Sequence, residues 1–494
     1  MRADLTFQIE NSGYKISNRT FIGDVMKTIN KQPQKGAIPV AKQRSYNELV
    51  EFLDRNWSQP DSNHVSCIKE LDLAFGSISK KINTIFVSGN NGKSLTMNFT
   101  AQLLANEGLK VGLFYAPHIL SYNERICINN ETISNKAFTD LANEVISTAE
   151  TSGINADTLE LLTMMSLVYS HQNKVDVLIC EINENDPLYS SQICAPKLVA
   201  ITRISGSEKP EAEENKQILE SMLEIVQPGT YVVSADQSKL NLQDMLELTE
   251  NKGGVWAMPI RKLATLSYPF EQLHGRCAAL AERIGEIYIN SFVPQEKVLH
   301  NSLLAKQKGQ RGRPTLEAKR QAELNPKETV EQFWGTTVNN LPCRFQLLEK
   351  EKPTILLDNA NNLDAFKNLL LGIRLLHYQR PLKGLCLIIG SNNADLEKDE
   401  FLKLLRYFFK KTSGNIVVCP VNPIPGDMDK TLSDVEKVTN DIKSMKIKAR
   451  SAKNFKEAFE AALSSVDERH GLIVVAGSTS LLAQYSQYKG NKKL

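Results

Sequence analysis

A glycine-bearing loop between two apolar segments is the feature of this sequence most able to do chemistry. The apolar run Thr84–Ser88 predicts a strand, and a helical pattern through Leu104 follows the loop. The loop consists of Gly89, Asn90, Asn91, Gly92, Lys93 and Ser94. A strand that turns through glycine into a helix presents backbone N–H groups and the positive end of the helix dipole to an anion.

The two polar side chains at the end of this loop suit a nucleotide. Lys93 would neutralise phosphate charge, and Ser94 would offer its hydroxyl to Mg²⁺. Val87 occupies the first glycine position of the common phosphate-loop pattern, which points away from most proteins of that class. A plain strand–turn–helix connection with an exposed lysine is the alternative. The strand before the loop and the helix after it favour nucleotide binding.

The elements that must position this loop read as an α/β fold. Short apolar runs alternate with helical patterns, which is typical of a mostly parallel sheet with helices on both faces. In the first half the predicted strands are 84–88, 111–115, 175–180, 198–201 and 231–234. In the second half they are 354–357, 385–389, 416–419 and 472–475. The second half therefore predicts a smaller α/β domain.

A length of 494 residues is too great for one hydrophobic core, so several domains are expected. Ser45 and Glu48 form a capping-box pattern that marks the first helix. We predict an N-terminal extension at 1–44, an ATP-binding domain at 45–295, a basic linker at 296–340 and a C-terminal domain at 341–494.

The composition excludes several classes of protein. A formal net charge of +3 calls for neither a nucleic-acid nor a membrane partner. The eight cysteines are scattered without a C-x-x-C pair, which favours reduced thiols over a zinc site. No apolar run reaches the length of a membrane span, and the N-terminus lacks the apolar core of a signal peptide. We therefore expect a cytoplasmic protein.

A second motif narrows the prediction to one family. The phosphate loop resembles that of the Mur ligase superfamily, and the segment 116–134 resembles S-P-H-L-x-S-x-x-E-R-I-x-I-N-G-x-x-I-S, a signature of folylpolyglutamate and dihydrofolate synthases. The matching residues are Pro117, His118, Ser121, Glu124, Arg125, Ile126, Ile128, Asn129, Ile133 and Ser134. Weaker matches, from Thr158–Thr163 to Ala476–Ser478, extend the resemblance from about Ser45 to the C-terminus.

This resemblance implies a P-loop-type Mur ligase central domain with a mostly parallel sheet and a smaller Rossmann-like C-terminal domain. It also implies a monomer that uses ATP and Mg²⁺ to join L-glutamate to a folate or pteroate through an acyl phosphate. The choice between the dihydrofolate and folylpolyglutamate reactions stays open.

The resemblance also implies roles for individual residues. The nucleotide-binding set is Gly89, Asn90, Asn91, Gly92, Lys93, Ser94, Arg344 and Asp358. The metal ligands are Ser94, Glu160 and Glu208, and the catalytic set is Lys93, Glu160 and Glu208. The substrate-side residues are Pro117, His118 and Arg125.

The sequence also departs from the family pattern. The loop after Glu181 lacks the family's glycines and arginine, and Asn361 stands where the family has histidine. Met222 occupies the position of a lysine that, in the family, helps to hold a second Mg²⁺. These changes leave open an alternative, in which the chain is a catalytically impaired relative that binds nucleotide and serves as a binding or regulatory protein.

A basic segment in the predicted linker raises the question of a nucleic-acid partner. Residues 306–314 contain R-G-R-P, the core of peptides that enter the A·T minor groove. A solvated loop between domains is the favoured interpretation, so a nucleic-acid partner is not expected. An inactive, nucleic-acid-associated relative is the alternative.

Overall fold

The structure, a computed structural model, divides into the units Met1–Lys42 and Gln43–Leu494. It describes residues 42–58, 66–182, 192–204, 212–258, 260, 263–266, 271–299, 301–305, 320, 328–337, 341–391, 394–425 and 433–490. The fold below belongs to the second unit. The predicted extension at 1–44 falls mostly outside the described residues.

An eight-stranded sheet forms the centre of the first part of this unit. Its strands, in the order of the sheet, are β4 (Glu131–Thr132), β3 (Ile126–Ile128), β2 (Val111–Phe114), β5 (Val177–Glu181), β1 (Thr84–Ser88), β6 (Leu198–Ile201), β7 (Tyr231–Ser234) and β8 (Val255–Trp256). The strands from β2 to β8 in this order are parallel, whereas β3 and β4 pair antiparallel at the edge.

Helices cover both faces of this sheet. They are α1 (Tyr46–Arg55), α2 (Ile68–Ala74), α3 (Lys93–Asn106), α4 (Asn135–Thr151), α5 (Thr158–Gln172), α6 (Ala212–Met222), α7 (Lys239–Asn251), α8 (Glu271–Phe292) and α9 (Val330–Thr336). Two separate apolar cores result, one on each face. Helix α3, which follows the phosphate loop, packs against the long helix α8.

A second, six-stranded sheet forms the later part of the chain. Its order is β13 (Lys448–Ser451), β12 (Asn415–Val418), β11 (Leu385–Ile389), β14 (Leu472–Ala476), β10 (Thr354–Asp358) and β9 (Gln346–Leu348). All neighbours are parallel except β9, which pairs antiparallel with β10. Its helices are α10 (Leu363–Gln379), α11 (Asp399–Phe409), α12 (Val435–Ser444), α13 (Phe455–Ser465) and α14 (Thr479–Tyr488).

The predicted α/β class is confirmed, with a large mostly parallel sheet and a smaller second one. Every strand predicted from an apolar run is present, with ends that differ by at most two residues. Those strands are buried on both faces, so they read as continuous apolar runs. The strands that sequence reasoning missed, β3, β4, β8, β9 and β13, all have two to four residues, and all except β3 have no buried position.

Local signals also set the start of the fold. The Ser45 backbone N–H donates to Glu48 Oε2 over 2.8 Å, and Glu48 N donates back to Ser45 Oγ over 3.5 Å. This is the predicted capping box, and it begins α1. Among the described residues, no helix is both long enough and apolar enough to cross a membrane.

Candidate active site

A cavity of about 410 Å³ lies at the carboxyl ends of the central strands of the larger sheet. The phosphate loop forms one wall, and the ends of β5 and β6 and the start of α8 form others. Arg344, Asp358 and Asp364 from the second sheet's part of the chain close it. In open α/β sheets, ligands bind at this edge, outside the carboxyl ends of the strands.

The phosphate loop needs glycine at two positions. Gly89 has φ +119° and Gly92 has φ +88°, a region that L side chains rarely adopt. A Cβ on Gly89 would also overlap Thr202 Oγ1 and lie 2.9 Å from the Arg203 carbonyl oxygen. The Asn90 N–H donates to that same carbonyl over 2.8 Å, which anchors the loop to the end of β6.

Lys93 is the first residue of α3, and its ammonium group folds back over the loop. Its Nζ donates to the Gly89 carbonyl over 2.7 Å and to the Asn90 carbonyl over 3.4 Å. Only 9% of the residue is exposed. Its positive charge therefore lies inside the loop that the sequence predicts to hold phosphate.

Ser94 faces a carboxylate that the sequence analysis gave no role. Its Oγ donates to Glu181 Oε2 over 3.0 Å and lies 3.3 Å from Oε1. Glu181 ends β5, directly beside β1 in the sheet. Burial raises the pKa of Glu181, while the charges of Lys93 and Arg344 oppose that rise. The signal in the sequence that could have identified Glu181 was an acidic residue at the end of an apolar strand.

Arg344 and Asp358 come from the second part of the chain and lie at the same cavity. Arg344 Nη2 donates to Ser94 Oγ over 3.3 Å, across 250 positions in the sequence. Asp358 ends β10 and accepts the Phe345 N–H over 2.8 Å. Burial raises the pKa of Asp358 to about 6, against the opposing effects of that hydrogen bond and of Arg344.

Amide and carboxylate groups join the loop to α10. Asn91 Nδ2 donates to Asn362 Oδ1 over 3.1 Å and to Asp364 Oδ2 over 3.0 Å. Arg203, just after β6, pairs with Asp364 Oδ1 over 3.1 Å. Asn361, the residue in place of the family's histidine, also lines the cavity. The loop is thus held against the part of the chain that carries the second sheet.

Comparison with known proteins finds similar sequences and structures, although no protein-family model matches the sequence. A dihydrofolate synthase/folylpolyglutamate synthase of Bacillus subtilis is 27% identical over 321 residues, which cover 61% of this chain and 70% of the relative. A Mycobacterium tuberculosis folylpolyglutamate synthase complexed with ADP aligns with 90% of this chain and 98% of its own, at 18% identity and a TM-score of 0.67.

A second solved structure extends the comparison. The bifunctional folylpolyglutamate synthase/dihydrofolate synthase from Yersinia pestis, complexed with AMPPNP and a Mn ion, covers the same shares at 19% identity and a TM-score of 0.63. At these identities the solved structures establish the fold. The chain is similar in sequence to dihydrofolate and folylpolyglutamate synthases, and it has the fold of their solved structures.

The structure places Glu160, predicted to bind metal and to take part in catalysis, apart from the cavity lining, and these roles stay a prediction. Glu160 lies in the first turn of α5 and is fully buried, outside the residues that line the cavity. Its Oε2 accepts the Asp157 N–H over 2.9 Å, and its Oε1 accepts the Cys67 N–H over 2.7 Å. The carboxylate therefore caps α5 and ties it to the start of α2, while Glu181 is the carboxylate beside Ser94.

The substrate-side set divides between the cavity wall and the interior. Pro117 lines the cavity, whereas His118 and Arg125 are 6% and 3% exposed and lie outside its lining. Arg125 Nε donates to His118 Nδ1 over 2.9 Å, and its guanidinium lies over the Trp57 ring. Burial and the charge of Arg125 hold the pKa of His118 well below its usual range, so this imidazole is neutral at neutral pH.

Met222 ends α6 and packs in one of the two cores of the larger sheet, with 2% of its surface exposed. It is not part of the cavity lining. Glu208, the loop at 183–191 and the basic segment at 306–319 fall outside the described residues, so the predictions made for them stay predictions.

The residues of the synthase-like chain fit a magnesium ion. The Ser94 hydroxyl and the Glu181 carboxylate are hard oxygen donors, and Mg²⁺ in nucleotide sites takes one or two such protein ligands beside phosphate and water. Within the described part of the chain, no group of three or more His, Cys, Asp or Glu residues could hold a metal by itself. The nucleotide's own phosphates would therefore complete the coordination.

Proposed function

We propose that this chain is an ATP-dependent amide ligase that joins L-glutamate to a folate or a pteroate. The observation that carries the proposal is the convergence of Lys93, Ser94, Glu181 and Arg344 on one cavity between the two sheets. Relatives named dihydrofolate synthase/folylpolyglutamate synthase support the substrate class.

The site would act by positioning and by charge stabilisation. The N–H groups at the start of α3 and the ammonium of Lys93 would bind the nucleotide phosphates. Arg344 would approach the transferred phosphoryl group from the opposite wall, because its guanidinium already reaches Ser94. Magnesium held by Ser94 and Glu181 would supply further positive charge to the phosphates.

The reaction proceeds in two displacements. A carboxylate oxygen of the folate or pteroate attacks the γ-phosphorus of ATP, the bond to ADP breaks, and an acyl phosphate forms. The amine of glutamate then attacks the acyl carbon, inorganic phosphate leaves, and the nitrogen loses a proton. Both displacements require that water stays out, which closure of the cavity by the second part of the chain would provide.

The remaining predictions extend this proposal. Pro117 would contact the substrate directly, whereas the His118–Arg125 pair would hold the segment that carries it. Glu208 would act as a further carboxylate near the metal. We also propose a cytoplasmic monomer without a nucleic-acid partner. Size measurement of the purified chain in solution would test the monomeric state.

The decisive experiment is phosphate release by the full chain with ATP, Mg²⁺ and glutamate, with either tetrahydrofolate or dihydropteroate added. We expect release that depends on one of these acceptors, and the acceptor chooses between the two reactions. Lys93→Ala should reduce turnover at least 10-fold, because a charge-assisted contact to phosphate is lost. Lys80→Ala, a change at an exposed lysine outside the cavity, should leave it unchanged.

The alternative makes the opposite prediction in the same assay. A catalytically impaired relative would bind ATP but release no phosphate with either acceptor. That outcome would overturn the proposed ligase activity and leave a nucleotide-binding protein.

A further inference from the structure

Helix α8 brings an arginine into the cavity that the sequence analysis did not assign. Arg276 lies near the start of this helix and lines the cavity together with the phosphate loop. The adjacent Cys277 lies against the loop itself, since a Cβ on Gly92 would come within 2.9 Å of its Sγ. The start of α8 is therefore packed directly on the turn that begins α3.

The guanidinium of Arg276 has an unsatisfied donor. Its Nη1 is buried and has no hydrogen-bond partner among the residues that the structure describes. Buried polar atoms in native proteins nearly always have a partner, so a donor left without one on a cavity wall indicates a ligand. Arginine presents its donors in a planar fork that matches the oxygens of phosphate or carboxylate.

The charges around Arg276 do not neutralise it. Arg203 is a like charge nearby, and burial followed by this repulsion lowers the pKa of Arg276. Asp236 attracts it, but this carboxylate already accepts the Ile204 N–H over 2.8 Å and the Ser238 N–H over 2.7 Å. Arg203 is itself paired with Asp364. The positive charge of Arg276 is therefore only partly balanced by the carboxylates around it.

The cavity as a whole favours an anion. Among the described residues, its lining holds four cationic side chains, Lys93, Arg203, Arg276 and Arg344, against the three carboxylates Glu181, Asp358 and Asp364. A ligand with several negative charges fits this balance.

We propose that Arg276 is a nucleotide-binding residue that donates to a phosphate oxygen at the end of the cavity formed by α8 and the phosphate loop. This inference rests on the proposed function, because it assumes that the cavity holds a nucleotide. A glutamate carboxylate would offer similar oxygens to the same guanidinium. The contact between Cys277 and Gly92 favours phosphate, since it places α8 against the phosphate loop.

The test compares two identical substitutions on one helix. Arg276→Met removes the guanidinium and keeps an apolar stem, and Arg283→Met makes the same change at a residue that pairs with Glu286 outside the cavity. The dissociation constant of ADP is measured by calorimetry on each full-length variant. Arg276→Met should weaken ADP binding by roughly 10-fold or more, since a charge-assisted hydrogen bond is lost. Arg283→Met should not change it.

Thermal unfolding without nucleotide separates this role from a structural one. Because Nη1 is unsatisfied and Arg203 repels the group, Arg276→Met should unfold at the same temperature as the native chain or a higher one. A purely structural residue would lower that temperature. Arg276→Lys, which keeps the charge but not the fork, provides a second variant and should bind ADP with intermediate affinity.

Native-like ADP binding by Arg276→Met would overturn the inference alone. If the same variant also raised the Michaelis constant for glutamate, the guanidinium would be assigned to a carboxylate instead. Failure of the native chain itself to bind ADP would instead overturn the proposed function, and the inference with it.

Discussion

The carboxylate of Glu181 lies 3.0 Å from the hydroxyl of Ser94, although 87 positions separate them in the sequence. Parallel pairing of β1 with β5 produces this contact, because it sets Val87 directly beside Glu181. Both strands end at the same edge of the sheet, where the loop begins. Two hard oxygen donors placed beside the loop suit the magnesium site that we propose.

The first prediction separates Glu181 from Glu160 as the functional carboxylate. Glu181→Gln keeps the shape of the side chain but removes a charged oxygen ligand, so phosphate release should require much more Mg²⁺ or fail. Glu160→Gln should leave the Mg²⁺ dependence unchanged and cost about 1 kcal/mol of stability, because it weakens a helix cap. Titration of Mg²⁺ in the phosphate-release assay and urea unfolding measure the two effects. The reverse pattern would restore Glu160 as the ligand.

The second prediction concerns Gly89. Backbone strain at Gly89→Ala should cost about 1–3 kcal/mol of stability, and the overlap with Thr202 and Arg203 should add to that loss. Gly153→Ala is the matched control, since Gly153 also has positive φ (+68°) but its Cβ would meet nothing within 4 Å. Urea unfolding of both variants isolates the overlap. Equal losses would show that the loop yields to the extra methyl group.

The third prediction is a pH dependence due to Asp358. Its pKa rises from an ordinary value of 3.8 to about 6, so ionisation is less favourable in the folded than in the unfolded chain. The stability contributed by this group should therefore fall as pH rises from about 4 to about 6. The Asn side chain of Asp358→Asn cannot ionise, so this variant lacks the loss. The free energy of unfolding of the variant minus that of the native chain should therefore increase across this window by an amount on the order of 1–3 kcal/mol. Urea unfolding at pH 4.5 and pH 7 measures it, and a constant difference would contradict the raised pKa.

The fourth prediction tests the position that the family fills with lysine. Met222 is 2% exposed in an apolar core, so Met222→Lys should destabilise the fold by several kcal/mol through burial of a charge. Met222→Leu, which keeps the volume and polarity, should cost less than about 1.5 kcal/mol. Urea unfolding compares the two. A stable Met222→Lys variant with raised turnover would instead place this side chain at the reacting groups.

Local patterns were sufficient for the phosphate loop and its flanking elements. The strand 84–88, the two glycines and the helix that begins at Lys93 lie within a few residues of one another, so their conformations follow from short-range sterics and hydrogen bonds. The buried parallel strands were visible for a related reason, since burial on both faces demands an unbroken apolar run. Short edge strands such as β8 and β13 gave no such signal because their side chains are only partly buried.

The site as a whole depended on tertiary structure. The sequence analysis assigned Glu160 to the metal through a resemblance and gave Glu181 no role. The pairing of β1 with β5 places Glu181 beside Ser94, whereas the Glu160 side chain caps the start of α5. The sequence by itself determined that this chain carries a phosphate loop within an α/β fold. The order of the strands and the closure by Arg344 decided which distant charges face it, because those contacts join residues that no local pattern relates.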